Sequence, residues 1–302
     1  MDVYAFGHVS TGRILRLKDS FPAPDGYGEV AEDLENHSGE ATGSALVLAR
    51  LGSAVRLEGN WIGDNEQCRR TLEFLRGRGI DVSGLRVEPG YPGVREIVIS
   101  DGATRTVFGR YCDLLFTTPQ WDMPSIDRMR GAKLAVVDPA FGEATLAVAR
   151  GASELGIPLA TCDTPPEGEL AMSATILVIS NEFLRREFPG SEHPGKKREA
   201  MFRRYLEACQ GLVVFTSGSG TTRYGRAGKD LGGIEPFRVD VLDSAGAGDS
   251  FRGGLAWASL RGMSDRDAVR FASAVAGLVC TTAPGCLHPP SLAQVEELLE
   301  RG

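Results

Sequence analysis

Four short apolar runs, rich in β-branched residues and free of strict alternation, set the strongest limit on how this chain folds. They are Lys133–Asp138 (KLAVVD), Ile157–Asp163 (IPLATCD), Thr175–Ser180 (TILVIS) and Gly211–Thr216 (GLVVFT). A strand with one solvated face alternates apolar and polar residues. Runs like these suit strands covered on both faces. Stretches of helical character, Phe141–Leu155 and Lys196–Cys209, lie between them. Strand and helix in succession imply a parallel sheet with helices on both sides.

The first third departs from that rhythm. Val3–His8 and Ala54–Trp61 read as strands, with a helix over Ala41–Leu51 between them. Asp64 is placed to cap a helix near Asn65–Arg78, with Gly79 as its stop. Two segments fit no crossover, Gly12–Ser38 and Leu85–Phe116. In the second, Val94–Ser100 and Thr104–Arg110 flank Asp101-Gly102 in the manner of a β-hairpin. Two β excursions, 12–38 and 85–116, from one α/β body predict a small sheet that covers a site as a lid. The last third is mostly helical: Gly246–Arg261 after a turn, Ser264–Thr282, and Leu292–Arg301. Ser264 with Asp267 resembles an N-cap with an acidic first turn. No repeat or linker is visible, so residues 1–302 are expected to form a single domain carrying the lid.

Composition narrows the partners. The chain has 33 basic and 40 acidic residues, a net charge of −7, which argues against nucleic acid or an anionic membrane as partner. Six cysteines, at 68, 112, 162, 209, 280 and 286, form no CxxC pair and no zinc-spaced Cys/His cluster. Reduced thiols and a cytoplasmic location are expected. The start MDVYAFGHVSTG lacks the basic and apolar regions of a signal peptide, and no run of 18 apolar residues occurs. Glycine numbers 38, against roughly 21 at an average usage of about 7%. No G-X-Y period accompanies the excess. It therefore belongs in turns, helix ends and places where backbone approaches a ligand.

The segment Val239–Leu260 (VDVLDSAGAGDSFRGGLAWASL) concentrates that glycine. A strand-like lead over Phe237–Leu242 runs into Asp243-Ser244-Ala245-Gly246-Ala247-Gly248-Asp249 and then a helix. Free N–H groups at a helix start, with glycines that let a ligand come close, form an anion site suited to phosphate. A carboxylate beside such a site is repelled by the ligand. Asp249 makes chemical sense as a base that takes a proton from an attacking hydroxyl. The bland alternative is that it only favours the helix N-terminus.

Asp243–Phe251 (DSAGAGDSF), continued by Gly253-Gly254, resembles the C-terminal signature of the ribokinase-like, or PfkB-type, carbohydrate kinases. The likeness extends along most of the chain. Ile62-Gly63-Asp64 with the later LEFLRGRGIDVSGL, Thr216-x-Gly218-x-Gly220, and Ala272–Gly285 are similar to further segments of that family. The resemblance implies a three-layer α/β sandwich with a mostly parallel central sheet, helices on both faces and a small β-sheet lid. It also implies an ATP- and Mg2+-dependent kinase acting on a sugar-like hydroxyl. Asp249 would be the catalytic base, and the amides of Gly246, Ala247 and Gly248 the anion hole. Asp243 and Ser244 would shape the turn and, in members that use one, help hold a monovalent cation such as K+. Thr216, Gly218 and Gly220 would line the nucleotide. Ser273 and Gly277 would face adenine, beside Gly285 in the adenine-side loop. Gly39 would let backbone approach the sugar.

Three positions depart from the family pattern. An Asp that binds sugar hydroxyls is replaced by Gly12. The segment Gly-Gly-x-x-x-Asn aligns with Ser38–Gly43, so its first Gly is Ser38 and its sugar-binding Asn is Gly43. In the Asn-x-x-Glu stretch linked to magnesium and phosphate, Asn181 remains but the acidic position is Leu184, with Glu182 as a neighbour that could substitute. A shifted alignment would restore Glu40 or Thr42 as a contact. The phosphoryl-transfer end is thus intact and the sugar end altered, which suggests an unusual or bulky hydroxylated acceptor. Thr104–Tyr111 (TRTVFGRY) resembles kinases of fructose-derived amines over a short stretch. A nucleoside or fructose-amine kinase, and a non-catalytic nucleotide-binding protein of the same fold, stay open as alternatives. No G-x-G-x-x-G follows the first strand and no G-x-x-x-x-G-K-[ST] is present, so dinucleotide oxidoreductases and P-loop enzymes are disfavoured.

Other residues divide between site and scaffold. Arg105, and less so Arg95, could face substrate from the hairpin or be solvated there. His8 ends the first strand near the sugar side and reads as a packed histidine. Arg185-Arg186 and Lys196-Lys197-Arg198 read as solvated helix faces. Trp257 reads as core, and Cys280 and Cys286 as packing residues. An exposed edge of the lid sheet could pair with a second copy of the chain.

Overall fold

The computed structural model describes residues 1–101, 104–110, 118–229 and 231–302. In chain order its strands are β1 (Val3–Gly7), β2 (Ser10–Leu17), β3 (Val30–Ser38), β4 (Val55–Gly59), β5 (Ile62–Gly63), β6 (Val87–Glu88), β7 (Arg95–Ser100), β8 (Arg105–Arg110), β9 (Leu134–Val137), β10 (Leu159–Cys162), β11 (Ile176–Ile179), β12 (Leu212–Phe215), β13 (Thr222–Gly225) and β14 (Gly232–Ile234). The central sheet runs β14-β13-β12-β11-β10-β9-β1-β4. Pairing is parallel from β4 to β12. It turns antiparallel for β13 and β14, which the sequence reading did not resolve.

The four apolar runs become β9 to β12, at the centre of the sheet. Their side chains alternate between the two faces of the sheet, one carrying a single core and the other two. On one face Leu134, Val136, Ile176 and Val214 join Leu46, Phe251, Leu255, Val269 and Val275. On the other, Ala135 and Val137 meet Phe141, Val148 and Ala152, while Leu177 and Val213 meet Phe202, Tyr205 and Leu206. Helices Glu40–Arg50, Ala247–Leu260 and Asp265–Val279 therefore cover one face, and Glu143–Leu155 and Lys196–Ala208 the other. Trp257 lies in the first core, stacked on Phe271.

Two local expectations change. Asn65, not Asp64, caps helix Glu66–Gly77 by accepting the Cys68 amide, while Asp64 accepts the Gly90 amide. The lead Phe237–Leu242 is not a strand. The amides of Leu242 and Asp243 donate to the Cys280 carbonyl, which ties this segment to a helix end instead of a sheet.

A second sheet has the order β3-β2-β7-β8. β2 pairs antiparallel with β3 and parallel with β7, and β7 pairs antiparallel with β8. Its first strand starts at Ser10, slightly before the expected excursion. Gly102 of the expected hairpin turn, Tyr111, Cys112 and the rest of 111–116 lie outside the described residues. Among the described residues no helix is long and apolar enough to cross a membrane.

Candidate active site

The chain leaves β1 toward β4 on one side and returns as β9 on the other. In an open parallel sheet, the crevice outside the carboxyl ends at such a reversal is where ligands bind. A cavity of about 450 Å3 opens there and is roofed by the second sheet. His8 follows β1, Asp138 follows β9 and Asp163 follows β10, and all three line it.

Asp138 fixes this edge. Its Oδ2 accepts the amides of His8 at 2.8 Å and Ala41 at 2.9 Å. Its Oδ1 accepts from Nη2 of Arg252 at 2.7 Å. Arg252 also donates through Nε to Ser44 Oγ at 3.0 Å, and Ser44 Oγ donates to the Asp249 carbonyl at 3.0 Å. One buried guanidinium thus joins the ends of two strands to the two helices that meet beneath the cavity. Asp163 sits at a left-handed φ of 40° and accepts the Ser180 amide and hydroxyl at 2.7 and 2.8 Å. Burial raises its carboxyl above the ordinary range. Burial also holds the His8 imidazole toward its neutral form.

The turn before helix Ala247–Leu260 forms the floor. Gly246 adopts a left-handed φ of 74°, and a Cβ there would stand 2.4 Å from Cys286 Cβ, so the position requires glycine. Asp243 Oδ1 accepts the Ala245 amide at 2.9 Å and closes the turn. The Ala247 amide donates to the Ser244 carbonyl at 3.3 Å. The expected three-amide anion hole therefore has Ala247 already engaged, leaving Gly246 and Gly248 for an anion. Asp249 lines the cavity one residue later. Burial pushes its carboxyl up to about 7, against the opposing pull of Arg252 and Arg105. Desolvation, together with the charges of Asp138 and Asp249, raises Glu40 as well.

The glycines expected on the acceptor side have distinct places. Gly39, at φ 128°, caps helix Glu40–Arg50 where a Cβ would meet the His8 carbonyl oxygen at 1.9 Å. Gly43 lines the cavity in the first turns of that helix, and a Cβ there would sit 2.7 Å from Asp249 Cβ. The space a side chain at 43 would take is thus occupied by Asp249. Glu40 faces the cavity, whereas Thr42 is buried and donates to the His8 carbonyl. Gly12 does not line the cavity. It sits in mid-sheet in the lid, directly between Asn36 on β3 and Glu96 on β7. Asn36, Ser38 and Glu96 line the roof in its stead.

Arg105 and Arg186 line the cavity, and Arg198 packs beside it. Arg105 crosses from β8 to the turn, donating to Ser244 O at 3.3 Å and Ser244 Oγ at 3.4 Å, and lines the cavity on that side. Arg186, expected on a solvated face, lines the cavity with Glu182. Arg198, also expected in solvent, is 4% exposed. It donates to Asn181 Oδ1 at 2.6 Å, Thr216 O at 3.2 Å and Ser217 Oγ at 2.8 Å. Arg252, Asp138, Glu96 and Asn36 had not been singled out as site residues. The one legible signal was Arg252, a cation inside an otherwise apolar helix stretch.

The remaining nucleotide-side positions lie outside the cavity lining. Thr216 follows β12, and Gly218 (φ 58°) and Gly220 shape the turn that comes next. Ser273 Oγ donates to Val269 O, and Gly277 packs toward Phe237 and Val239. Gly285 is held in a short 3-10 turn where a Cβ would stand 1.7 Å from Val279 O. Cys286 lines the cavity, with burial pushing its thiol up to about 12. Asp243 is buried, and its Oδ2 has no hydrogen-bond partner among the described residues.

Comparison with known proteins agrees with this geometry. A family model described as pfkB family carbohydrate kinase matches residues 2–291. A nucleoside kinase of Methanothermobacter thermautotrophicus is 26% identical over 285 residues, covering 92% of this chain and 89% of its own. An ATP-dependent ribose-1-phosphate kinase of Halopiger xanaduensis is 26% identical, covering 99% of this chain and 98% of its own. A ribokinase-assigned structure from Agrobacterium tumefaciens superposes with a TM-score of 0.86 at 26% identity, covering 99% of this chain and 97% of that one. From its first strand to its last helix but one, the chain belongs to the pfkB family of carbohydrate kinases.

Proposed function

We infer that this protein is an ATP-dependent kinase that transfers the γ-phosphoryl group to a hydroxyl of a sugar, a nucleoside or a related polyol. The observation that carries this is Asp249. It sits at a helix N-terminus, beside the amides of Gly246 and Gly248, on the floor of the cavity, with burial pushing its carboxyl up to about 7. A base poised near neutral pH accepts a proton without being either too weak or permanently protonated.

The acceptor hydroxyl would lie against Asp249, lose its proton to that carboxylate and attack the γ-phosphorus in line, with ADP leaving. The amides of Gly246 and Gly248 and the guanidinium of Arg105 would stabilise charge on the transferred group. The nucleotide would lie along Asn181, Thr216, Gly218, Gly220, Ser273, Gly277 and Gly285. The lid would exclude water, which otherwise competes for the phosphoryl group.

The donor set suits the expected ions. Mg2+ is usually held by one or two carboxylates together with substrate phosphates, and Glu182 and Asp163 offer such oxygens in the cavity. When bound, the ion neutralises phosphate charge. The partnerless, buried Oδ2 of Asp243 suits a monovalent cation such as K+.

The test is ADP release with ATP and a panel of ribose, fructose, ribose 1-phosphate and nucleosides. At least one acceptor is expected to stimulate release, and Asp249→Asn to lower it by about 10²-fold or more while nucleotide still binds. Activity within a few-fold of the parent would overturn the base assignment. ATP binding with no stimulated turnover would favour the non-catalytic alternative, for which Gly12, Gly43 and Leu184 are the supporting positions.

A further inference from the structure

Resting on the kinase reading, we propose that the acceptor carries a protonated amino group beside its hydroxyls, and that Glu96 with Asn36 on the inner face of the lid reads it. Gly12 is central to this arrangement. It lies between Asn36 and Glu96 in strand register and projects no side chain. The Glu96 carboxylate therefore reaches across to β3. Its Oε1 accepts from Asn36 Nδ2 at 2.8 Å and from the Ser38 hydroxyl, which is itself 2.8 Å from Ser10 Oγ.

Two acceptors remain over. Among the described residues Glu96 Oε2 takes no hydrogen bond. Asn36 is 2% exposed, and its Oδ1 is buried without a partner. Leaving a buried acceptor unmade is costly, so Asn36 Oδ1 calls for a donor from a ligand, and the half-buried Glu96 Oε2 beside it stands open to the same group. An ammonium group has three donors and no acceptor, which matches this need.

Charge points the same way. The carboxylates of Glu40, Glu96, Asp163, Glu182 and Asp249 face the cavity. Asp138 is already neutralised by Arg252. Arg105 is committed to Ser244 on the phosphoryl side, and Arg186 shares the helix of Glu182 on the nucleotide side. On the lid side the nearby titratable groups are His8 and His37. Burial lowers the pKa of both, and His37 Nδ1 is bonded to Thr71. Among the described residues Glu96 forms no ion pair with an arginine or a lysine, and the nearby His8, whose protonated form Glu96 favours, is held back by burial. A half-buried carboxylate in a cavity rich in carboxylates gains most from a ligand that brings the missing charge. A neutral polyol supplies donors but not charge.

The experiment is calorimetric titration of the full chain, at pH 7 and with a non-hydrolysable ATP analogue, using two matched pairs. These are D-glucosamine against D-glucose, and 1-amino-1-deoxy-D-fructose against D-fructose. At least one amine is expected to bind about tenfold or more tighter than its neutral partner. Glu96→Gln should remove that preference, and Asn36→Asp, which adds a carboxylate at the same place, should increase it. Unchanged far-ultraviolet dichroism controls for folding. Amines that bind no better than their neutral partners, or a preference that survives Glu96→Gln and falls in Asn36→Asp, overturn the proposal. Stimulated ADP release with neutral sugars and no amine preference would sink it while the kinase reading stands. Amine preference without any phosphoryl transfer would do the reverse.

Discussion

Arg252 and Asp138 form an ion pair at 2.7 Å in which both side chains are only 1% exposed. Breaking such a pair leaves one uncompensated buried charge, at a cost of about 3–5 kcal/mol. Arg252→Met is expected to lower unfolding stability by that amount in urea titrations, because Asp138 loses its buried partner. The double variant Asp138→Asn/Arg252→Met should recover part of the loss. A double variant no more stable than the single one would show that the charge pairing is not what holds this edge together.

The pH dependence follows from Asp249. Its carboxyl titrates near 7 in the folded chain against an ordinary value of 3.8. The deprotonated base therefore appears between pH 6 and 8, and kcat/KM should rise with a one-proton slope across that window. Stability runs the other way. A carboxyl raised by folding favours the folded state while protonated, and that advantage is lost as pH rises from about 4 through about 7. Asp249→Asn should accordingly be more stable than the parent at pH 8, with the difference closing toward pH 4. Denaturation midpoints at the two pH values check this.

Gly43→Ala tests the contact between the two helices. The added methyl would sit 2.7 Å from Asp249 Cβ, so one helix must shift. Overpacking of this kind costs about 1–3 kcal/mol. The larger effect is expected on turnover, because the displaced atom belongs to the base. A fall in kcat of at least about tenfold, with the KM for ATP little changed, is the expected result; displacement of reacting groups by about 1 Å costs about 10²-fold.

Arg198→Met should act on the nucleotide side alone. It removes the donors to Asn181, Thr216 and Ser217, which position the strand ends flanking the nucleotide turn. The KM for ATP should rise several-fold and the KM for the acceptor should not. Each buried acceptor left without a partner also costs about 1–3 kcal/mol, so a lower melting temperature should accompany the change. Equal effects on both KM values would place Arg198 in the general scaffold.

The legible part of the molecule was its backbone. The apolar runs at 134, 159, 176 and 212 suited buried strands, and DSAGAGDSF marked the glycine turn and the carboxylate of Asp249. Pair geometry was not legible. Arg186 and Arg198 stand in basic clusters that look solvated, and only packing shows that one turns into the cavity and the other into the protein. Glu96 lies in a strand with no motif around it. Its meaning depends on Gly12 and Asn36, which register brings beside it across long sequence separations. Gly43 was read as a lost contact, because a sequence records the missing side chain but not the neighbour that fills its place.

The contact between Gly43 and Asp249 also limits how this protein can change over generations. An asparagine cannot return at 43 by a single replacement without pushing the base out of position, so that route to a different acceptor is closed unless the opposing helix moves first. Apart from Gly12, where a Cβ would stand 1.8 Å from the Glu96 carbonyl oxygen, the roof positions carry no such restriction. Positions 36, 38 and 96 can vary while the floor stays intact, so divergence in acceptor preference among descendants of this chain is expected to accumulate in the roof.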